Sequence, residues 1–272
     1  MSRQIDLDGK VAVVTGAAGG IGQAIARSLA KRGCHVALAD LNEEGLEQTA
    51  RLIGNSVRVT RHTVDVANAD AVAAFPGIVK SAHGHVDIVV NNAGVALGGR
   101  FDQLTEDEFD WVVGINFQGV VRMSRAFLPL LKEREQAQLV NLSSLFGLIA
   151  PPGQTAYAAA KFAVRGFSEA LRNELLAEKS PVGVTVIHPG GIKTGIAQNA
   201  RVAAAVSEAE RAVAQVRFAK ALKMPAEQAG EIIVRGIEQR RPRVLVGNDA
   251  KVASIVERLM PVGYWRLLGR MG

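Results

Sequence analysis

Residues 10–22, KVAVVTGAAGGIG, decide the fold. Lys10 to Val14 is a short apolar run of strand type, Thr15 to Gly22 is a glycine-rich turn, and Gln23 to Lys31 is amphipathic with helical period. The order is strand, glycine turn, helix. Glycines let the backbone turn sharply and approach a pyrophosphate closely, while the free N–H groups and the dipole of the helix start favour its negative charge. Gly16, Gly20, Ile21 and Gly22 are therefore candidate dinucleotide contacts. A second strand, His35 to Ala39, ends in Asp40, eighteen residues beyond Gly22, where a carboxylate can accept hydrogen bonds from the adenosine ribose hydroxyls. Asp40 also fits a helix N-cap, because Leu41-Asn42-Glu43-Glu44 opens a helical run. Leu41 offers no guanidinium for a 2′-phosphate and Ala17 and Ala18 add no cation, so the expected cofactor is NAD rather than NADP.

Tyr157 and Lys161 stand four residues apart in TAYAAAKFAV, in a run to Leu176 with helical period and no proline. Both side chains then share one helix face. A phenol titrates near ~10 in water and serves as a base near neutrality only where positive charge stabilises the phenolate. Lys161 is placed to supply that charge. Ser144 follows the apolar, strand-like run Gln138 to Leu142, where a hydroxyl can face a cleft and hydrogen-bond a substrate oxygen. Tyr and Lys at this spacing also occur on ordinary helices, and the pair gains its meaning from the glycine turn at the other end of the chain.

With these motifs the chain resembles the short-chain dehydrogenase/reductase family in its single-domain form, from about Leu7 to Thr194. Gly16, Gly20 and Gly22 meet TGxxxGxG; the turn also fits the TGxxGxxG of the longer, epimerase-like branch, and Asn91-Asn92-Ala93-Gly94 with the chain length favours the shorter one. Asp65-Val66 resembles the family's adenine contact, Asn92, Ala93 and Gly94 its NNAG cofactor contacts, and Asn116 in GINFQG its catalytic asparagine. Pro189-Gly190, followed by Ile192 and Thr194, is similar to the stretch that holds the nicotinamide carboxamide. The resemblance implies an NAD-dependent oxidoreductase with a tetrad of Asn116, Ser144, Tyr157 and Lys161. In it Ser144 holds the substrate oxygen and Tyr157 exchanges the proton. Lys161 binds the nicotinamide ribose and lowers the tyrosine pKa, and the Asn116 carbonyl holds a water. Two other classes share parts of the pattern: a non-catalytic NAD-binding regulatory or scaffold protein, and an epimerase or dehydratase using the same Tyr/Lys pair.

Composition bounds the rest. With 272 residues and 48% hydrophobic content, the chain can bury a full core as one α/β domain. The sole cysteine, Cys34, forms no intrachain disulfide, and His35, His62, His83, His85 and His188 are scattered, so no metal site is expected. A polar start, MSRQIDLDGK, and the lack of a long apolar run point to a cytoplasmic protein. The 32 basic residues are interspersed with 26 acidic ones and aromatics are few, which argues against nucleic acid as a partner.

Alternating strands and helices predict a doubly wound parallel sheet of about seven strands with helices on both faces. The strands fall at 11–15, 35–39, 57–61, 86–90, 138–142, 183–188 and 243–246, and the helices at 20–32, 42–54, 68–83, 105–132 and 155–178. Pro76-Gly77 should kink or break the third helix. The two longest helices carry surplus apolar residues and, by the resemblance, would form a four-helix contact in a homodimer or homotetramer. Val95, Ala96, Leu97, Leu145, Phe146, Ala150, Pro151, Pro152 and Gln154 line the cleft by analogy, which suggests a lipophilic secondary alcohol or ketone; Lys193 alone could reach an anion. Residues 1–248 make the domain. Within it 195–223, with Arg201, Glu208, Glu210, Arg211, Arg217 and Lys220, form a lid of one or two helices. Residues 249–272 form an amphipathic basic extension. Peripheral membrane contact is conceivable there, but Pro261 and Gly263 divide it into short pieces and favour packing against protein.

Overall fold

Val11, Ala12, Val13 and Val14 are all fully buried, which a strand achieves only when helices cover both faces of its sheet. The computed structural model describes residues 4–195 and 200–269. Its main sheet contains β1 (Val11–Thr15), β2 (His35–Asp40), β3 (Val59–Thr63), β4 (Ile88–Asn91), β6 (Ala137–Leu142), β7 (Val182–Pro189) and β11 (Arg243–Val246). They lie in the order β3-β2-β1-β4-β6-β7-β11, every neighbouring pair parallel. The order reverses between β1 and β4, and at such a switch point the strand ends open a crevice.

Alternation along β1 divides the core. Ala12 and Val14 join Ile25 and Leu29 of α1 (Gly20–Ala30) and Ile233 and Ile237 of α8 (Ala226–Glu238) on one face. Val13 joins Phe75 of α3 (Ala69–His83), Phe127 and Leu131 of α5 (Gly119–Lys132) and Leu175 of α6 (Thr155–Ala177) on the other. A third cluster has Leu97, Val112, Ala156 and Ala160 at its centre, with Trp111 and Tyr157 packed against it. At the opposite end of the sheet the buried Asp87 carboxylate accepts from Val11 N and Arg134 Nε, each at 2.9 Å.

The remaining elements are α2 (Glu43–Ile53), β5 (Leu97–Gly98), α4 (Glu106–Val113), β8 (Ile192–Lys193), β9 (Arg201–Val202), α7 (Glu208–Ala221), β10 (Met224–Pro225), α9 (Asn248–Leu259) and α10 (Tyr264–Leu268). No helix among the described residues is long and apolar enough to cross a membrane.

The structure corrects several sequence expectations. α3 continues through Pro76 without a break. The third strand begins at Val59 and the fourth at Ile88, each two residues later than expected. The expected helix over 105–132 is α4, a π-helical segment Gly114–Gln118, and α5. Asn42, not Asp40, caps α2: its side chain accepts from Gly45 N at 3.0 Å. α8 had no counterpart in the sequence reading. Its Gly230 disfavours a helix intrinsically, yet it lets α8 press on α1, because a Cβ there would stand 2.7 Å from the Ala24 backbone. In agreement with the one or two helices expected over 195–223, the described residues there form α7; residues 196–199 and the Arg217 side chain fall outside the described residues, as does Arg270.

Candidate active site

The glycine turn is built as its sequence suggested. Gly16 and Gly20 have φ of +66° and +56°, a conformation that costs glycine little and other residues much. Gly22 needs closeness instead: a Cβ on it would strike the Gly16 carbonyl and stand 2.6 Å from Asn92 Nδ2, so α1 seats tightly on the end of β1. Asn92 and Ala93 hold the turn from the side. Asn92 Nδ2 donates to the carbonyls of Thr15 and Gly16, and both backbone N–H groups donate to Thr15 Oγ1 at 3.0 Å. Asp40 accepts from Ala18 N and Asn42 N, each at 3.1 Å, which fixes its carboxylate beside the turn. Leu41 is exposed. At the end of β3, Asp65 accepts from Ala67 N and Val66 packs on Gly119. Ile21 packs against the α1 side of the core, and Thr194 stands over Gly20.

The four residues of the expected tetrad converge beyond the ends of β4 and β6. Asn116 is fully buried in the π-helical segment, its amide locked on Val95 by Val95 N to Oδ1 (2.8 Å) and Nδ2 to Val95 O (2.9 Å). A π register releases a carbonyl from the α-helical ladder. Gly94 lies against this amide, and a Cβ on it would approach Asn116 Oδ1 to 2.8 Å and Lys161 Nζ to 3.6 Å. Lys161 is 4% exposed; its Nζ donates to Leu142 O at 3.0 Å and lies 5.7 Å from the Tyr157 ring centre. Ser144 starts a 3-10 turn over Leu145–Gly147 and accepts from Phe146 N at 3.1 Å, and its side chain is near enough to the Tyr157 phenol to lower its pKa. Phe146 meets the Tyr157 ring edge-on at 6.1 Å.

Electrostatically the pair differs from expectation. Burial raises the Tyr157 pKa above its ordinary value, offset in part by the Ser144 hydrogen bond. Burial lowers Lys161 to about 8. Desolvation is therefore the largest effect on both groups, and it disfavours the charged form of each.

From Pro189, the last residue of β7, the chain passes through Gly190 and Gly191 to Ile192. Gly190 N donates to Val246 O, and Gly191 N donates to Asp249 Oδ2 at 2.6 Å. Lys223 N and Met224 N donate to Gly191 O, and β8 pairs with β10, so this loop joins the end of α7 to the start of α9. Of the residues expected to line the cleft, Leu97 is buried and Val95, Ala96, Leu145 and Phe146 are half-buried; Gln154 bridges to Gly99, and Lys193 is exposed. The Arg201 guanidinium lies 4.0 Å from the centre of the Trp111 ring, near Leu97. Tyr264 of α10 accepts from Ala150 N through its hydroxyl at 3.0 Å, which brings the C-terminal segment to the cleft loop.

Sequence reasoning missed Asp249, Tyr264, Thr15 and the buried His188, whose Nδ1 lies 2.9 Å from Ser144 O. A polar residue directly before Pro189-Gly190, at the end of a buried strand, was the available signal for His188. Asn91 joins strands, donating to Asn141 Oδ1 and Ser124 Oγ. No group of three or more metal-ligating side chains occurs among the described residues.

A family model described as short chain dehydrogenase matches residues 10–205. The chain is 43% identical over 264 residues to the "Putative oxidoreductase SadH" of Mycobacterium tuberculosis, covering 96% of this chain and 94% of that protein. It is 37% identical over 194 residues to the oxidoreductase UcpA of Escherichia coli, covering 71% of this chain and 73% of that protein. Among solved structures, a short chain dehydrogenase/reductase from Burkholderia phymatum in complex with NAD superposes with a TM-score of 0.84 at 31% identity, covering 94% of this chain and 95% of that one. An alcohol dehydrogenase from Thermococcus sibiricus, complexed with 5-hydroxy-NADP, gives 0.72 at 29% identity, covering 88% and 94%.

Proposed function

Because the chain belongs to the short-chain dehydrogenase family and is an oxidoreductase, we propose that it interconverts a lipophilic secondary alcohol and its ketone with NAD, Tyr157 serving as general acid and base. The observation that carries this reading is the convergence of Ser144, Tyr157 and Lys161 at the strand ends, with the Lys161 ammonium 5.7 Å from the Tyr157 ring centre and the Ser144 side chain beside the phenol. The glycine turn suits a dinucleotide, since Gly16 and Gly22 let it close on Asn92 and Ala93 while the backbone at Gly19, where a Cβ would meet nothing within 4 Å, stays open to a pyrophosphate. Gly16, Gly20, Ile21 and Gly22 would hold the pyrophosphate, Asp40 and Leu41 the adenosine ribose, and Asp65 and Val66 the adenine. Asn92, Ala93, Gly94, Pro189, Gly190, Ile192 and Thr194 would border the nicotinamide side. Bound NAD supplies the hydride acceptor and a positive charge.

The chain's own residues do the remainder. Ser144 holds the substrate oxygen and keeps it within reach of the phenol. Tyr157 takes the alcohol proton in oxidation or returns it to the ketone in reduction. Lys161 holds the nicotinamide ribose and exchanges protons with solvent through water at the Asn116 carbonyl. Selectivity for NAD rests on the Asp40 carboxylate, held beside Ala18, which repels a 2′-phosphate. The apolar Val95, Leu97, Leu145 and Phe146 side chains favour a lipophilic substrate.

We take residues 1–248 as the catalytic domain, 195–223 as its lid and 249–272 as an extension that packs on the cleft loop through Tyr264. A cytoplasmic homo-oligomer is the assembly we favour, supported by the exposed Phe162 and Leu176 on α6. Sedimentation at micromolar concentration tests it, a monomer removing the oligomer.

The deciding experiment is NADH formation from a panel of lipophilic secondary alcohols, with NADP in parallel and Tyr157→Phe as control. Tyrosine-dependent turnover with NAD is the expected result. Nucleotide binding without turnover across the panel would move the protein to the regulatory reading, and product epimers without net NADH to the epimerase reading.

A further inference from the structure

We infer that His188 is a positioning residue for Ser144: its Nδ1–H holds the Ser144 carbonyl and thereby fixes the backbone from which the serine hydroxyl meets Tyr157. The inference rests on the proposed role of Ser144. His188 is fully buried at the end of β7, and its Nδ1 lies 2.9 Å from Ser144 O. A carbonyl oxygen only accepts, so Nδ1 carries the proton. Burial, aided by the nearby Arg243 and Arg165, lowers the ring's pKa to about 4, and near neutrality the imidazole is uncharged. Nε2 is then an acceptor, and it is buried without a partner among the described residues. One bond therefore selects the tautomer of the ring.

The same bond completes the Ser144 carbonyl. That oxygen also accepts from Gly147 N at 3.0 Å, so both of its lone pairs are engaged, one by its own turn and one by β7. Ser144 itself is extended, with φ −164° and ψ 169°, and its hydroxyl caps Phe146 N. Rotation of the Ser144–Leu145 peptide would break the bonds to its carbonyl from both Gly147 N and His188 Nδ1. The preceding residue is locked too: Ser143 N donates to Ile187 O and Ser143 Oγ to Lys161 O. Ser144 is the hinge between this fixed segment and the cleft loop, and His188 is the side chain that stops it turning.

Two substitutions separate the bond from bulk. His188→Leu keeps volume and removes the donor; His188→Asn restores an N–H near the position of Nδ1. With the best substrate, His188→Leu should lower kcat about tenfold, the loss of about one hydrogen bond in the transition state. Nucleotide Kd should stay within about twofold, and His188→Asn should recover most of the rate. In a Ser144→Ala background, His188→Leu should cost less than about twofold, since the residue it positions is gone. An equal loss in both backgrounds, or a weakened nucleotide Kd, would overturn the assignment. Two readouts need no turnover. Ring ¹⁵N resonances should report the Nδ1–H tautomer for His188, and amide exchange at Phe146 and Gly147 should quicken in His188→Leu but not in His188→Asn. An Nε2–H tautomer or unchanged exchange refutes the positioning role even if no substrate is ever found, whereas absence of wild-type turnover alone counts against the proposed activity.

Discussion

Replacing Lys161 by methionine should abolish turnover and stabilise the fold, with a gain that depends on pH. The ammonium is 4% exposed, with a hydrogen bond to Leu142 O at 3.0 Å, and burial lowers its pKa from 10.5 to about 8. Because the unfolded chain then binds this proton more tightly than the folded one, stability rises with pH between about 8 and 10.5, and below about 8 the folded chain carries the whole penalty. A difference of about 2.5 pH units at 1.36 kcal/mol each amounts to roughly 3 kcal/mol. Methionine keeps the unbranched stem and gives up the bond to Leu142, worth about 1 kcal/mol. The net gain near neutrality is therefore about 2 kcal/mol, fading to a loss of about 1 kcal/mol above pH ~10.5. Urea unfolding of both proteins, repeated between about pH 6 and 10, measures this as a difference curve that falls with pH. A methionine variant less stable than wild type near pH 7, or a difference that does not change with pH, would refute the reasoning.

Tyr157→Phe should leave the fold and nucleotide affinity largely intact while removing turnover by at least about a thousandfold; retained activity in a steady-state assay would displace Tyr157 from its role. Since burial holds the phenol protonated, ketone reduction should keep its rate through neutrality and alcohol oxidation should climb with alkaline pH, as pH–rate profiles in the two directions will show. Asp40→Ala should weaken NAD binding and narrow the gap to NADP, read by calorimetry with both nucleotides; an unchanged ratio would place selectivity elsewhere. Asp87→Ala strands the Val11 N–H and the Arg134 guanidinium at the far end of the sheet, costing about 3 kcal/mol in denaturant melts without altering nucleotide affinity in the protein that remains folded.

The fold was legible where local pattern and tertiary role agree. β1 and the glycine turn read correctly because apolar residues buried on two sides make a continuous run, and because Gly16, Gly20 and Gly22 serve a positive φ or a close approach. The convergence of Ser144, Tyr157 and Lys161 followed from strand-end and helix-face logic together with the family resemblance. α8 escaped because Gly230, unfavourable in an isolated helix, is favoured by contact with Ala24 that no window of sequence reveals. The two-residue strands β5, β8, β9 and β10 exist only through their pairing with distant segments. The π segment at Asn116 was hidden inside one long helical period. The sequence reading offers Asp40 as a cap and passes over Asn42, whose bond from Gly45 N shows only in the folded chain.

The contacts of the last two helices make the C-terminal region sensitive to length as well as to composition. Asp249 reaches Gly191 only two residues after the positive-φ Gly247, so inserting or deleting a residue between β11 and α9 would move its carboxylate off the Gly190–Gly191 loop. A length change at 260–263, by contrast, would leave that loop alone and unseat the Tyr264 hydroxyl from Ala150. The two helices thus answer to different loops, and a homologue with a gap at either place has lost one of these contacts while keeping the other.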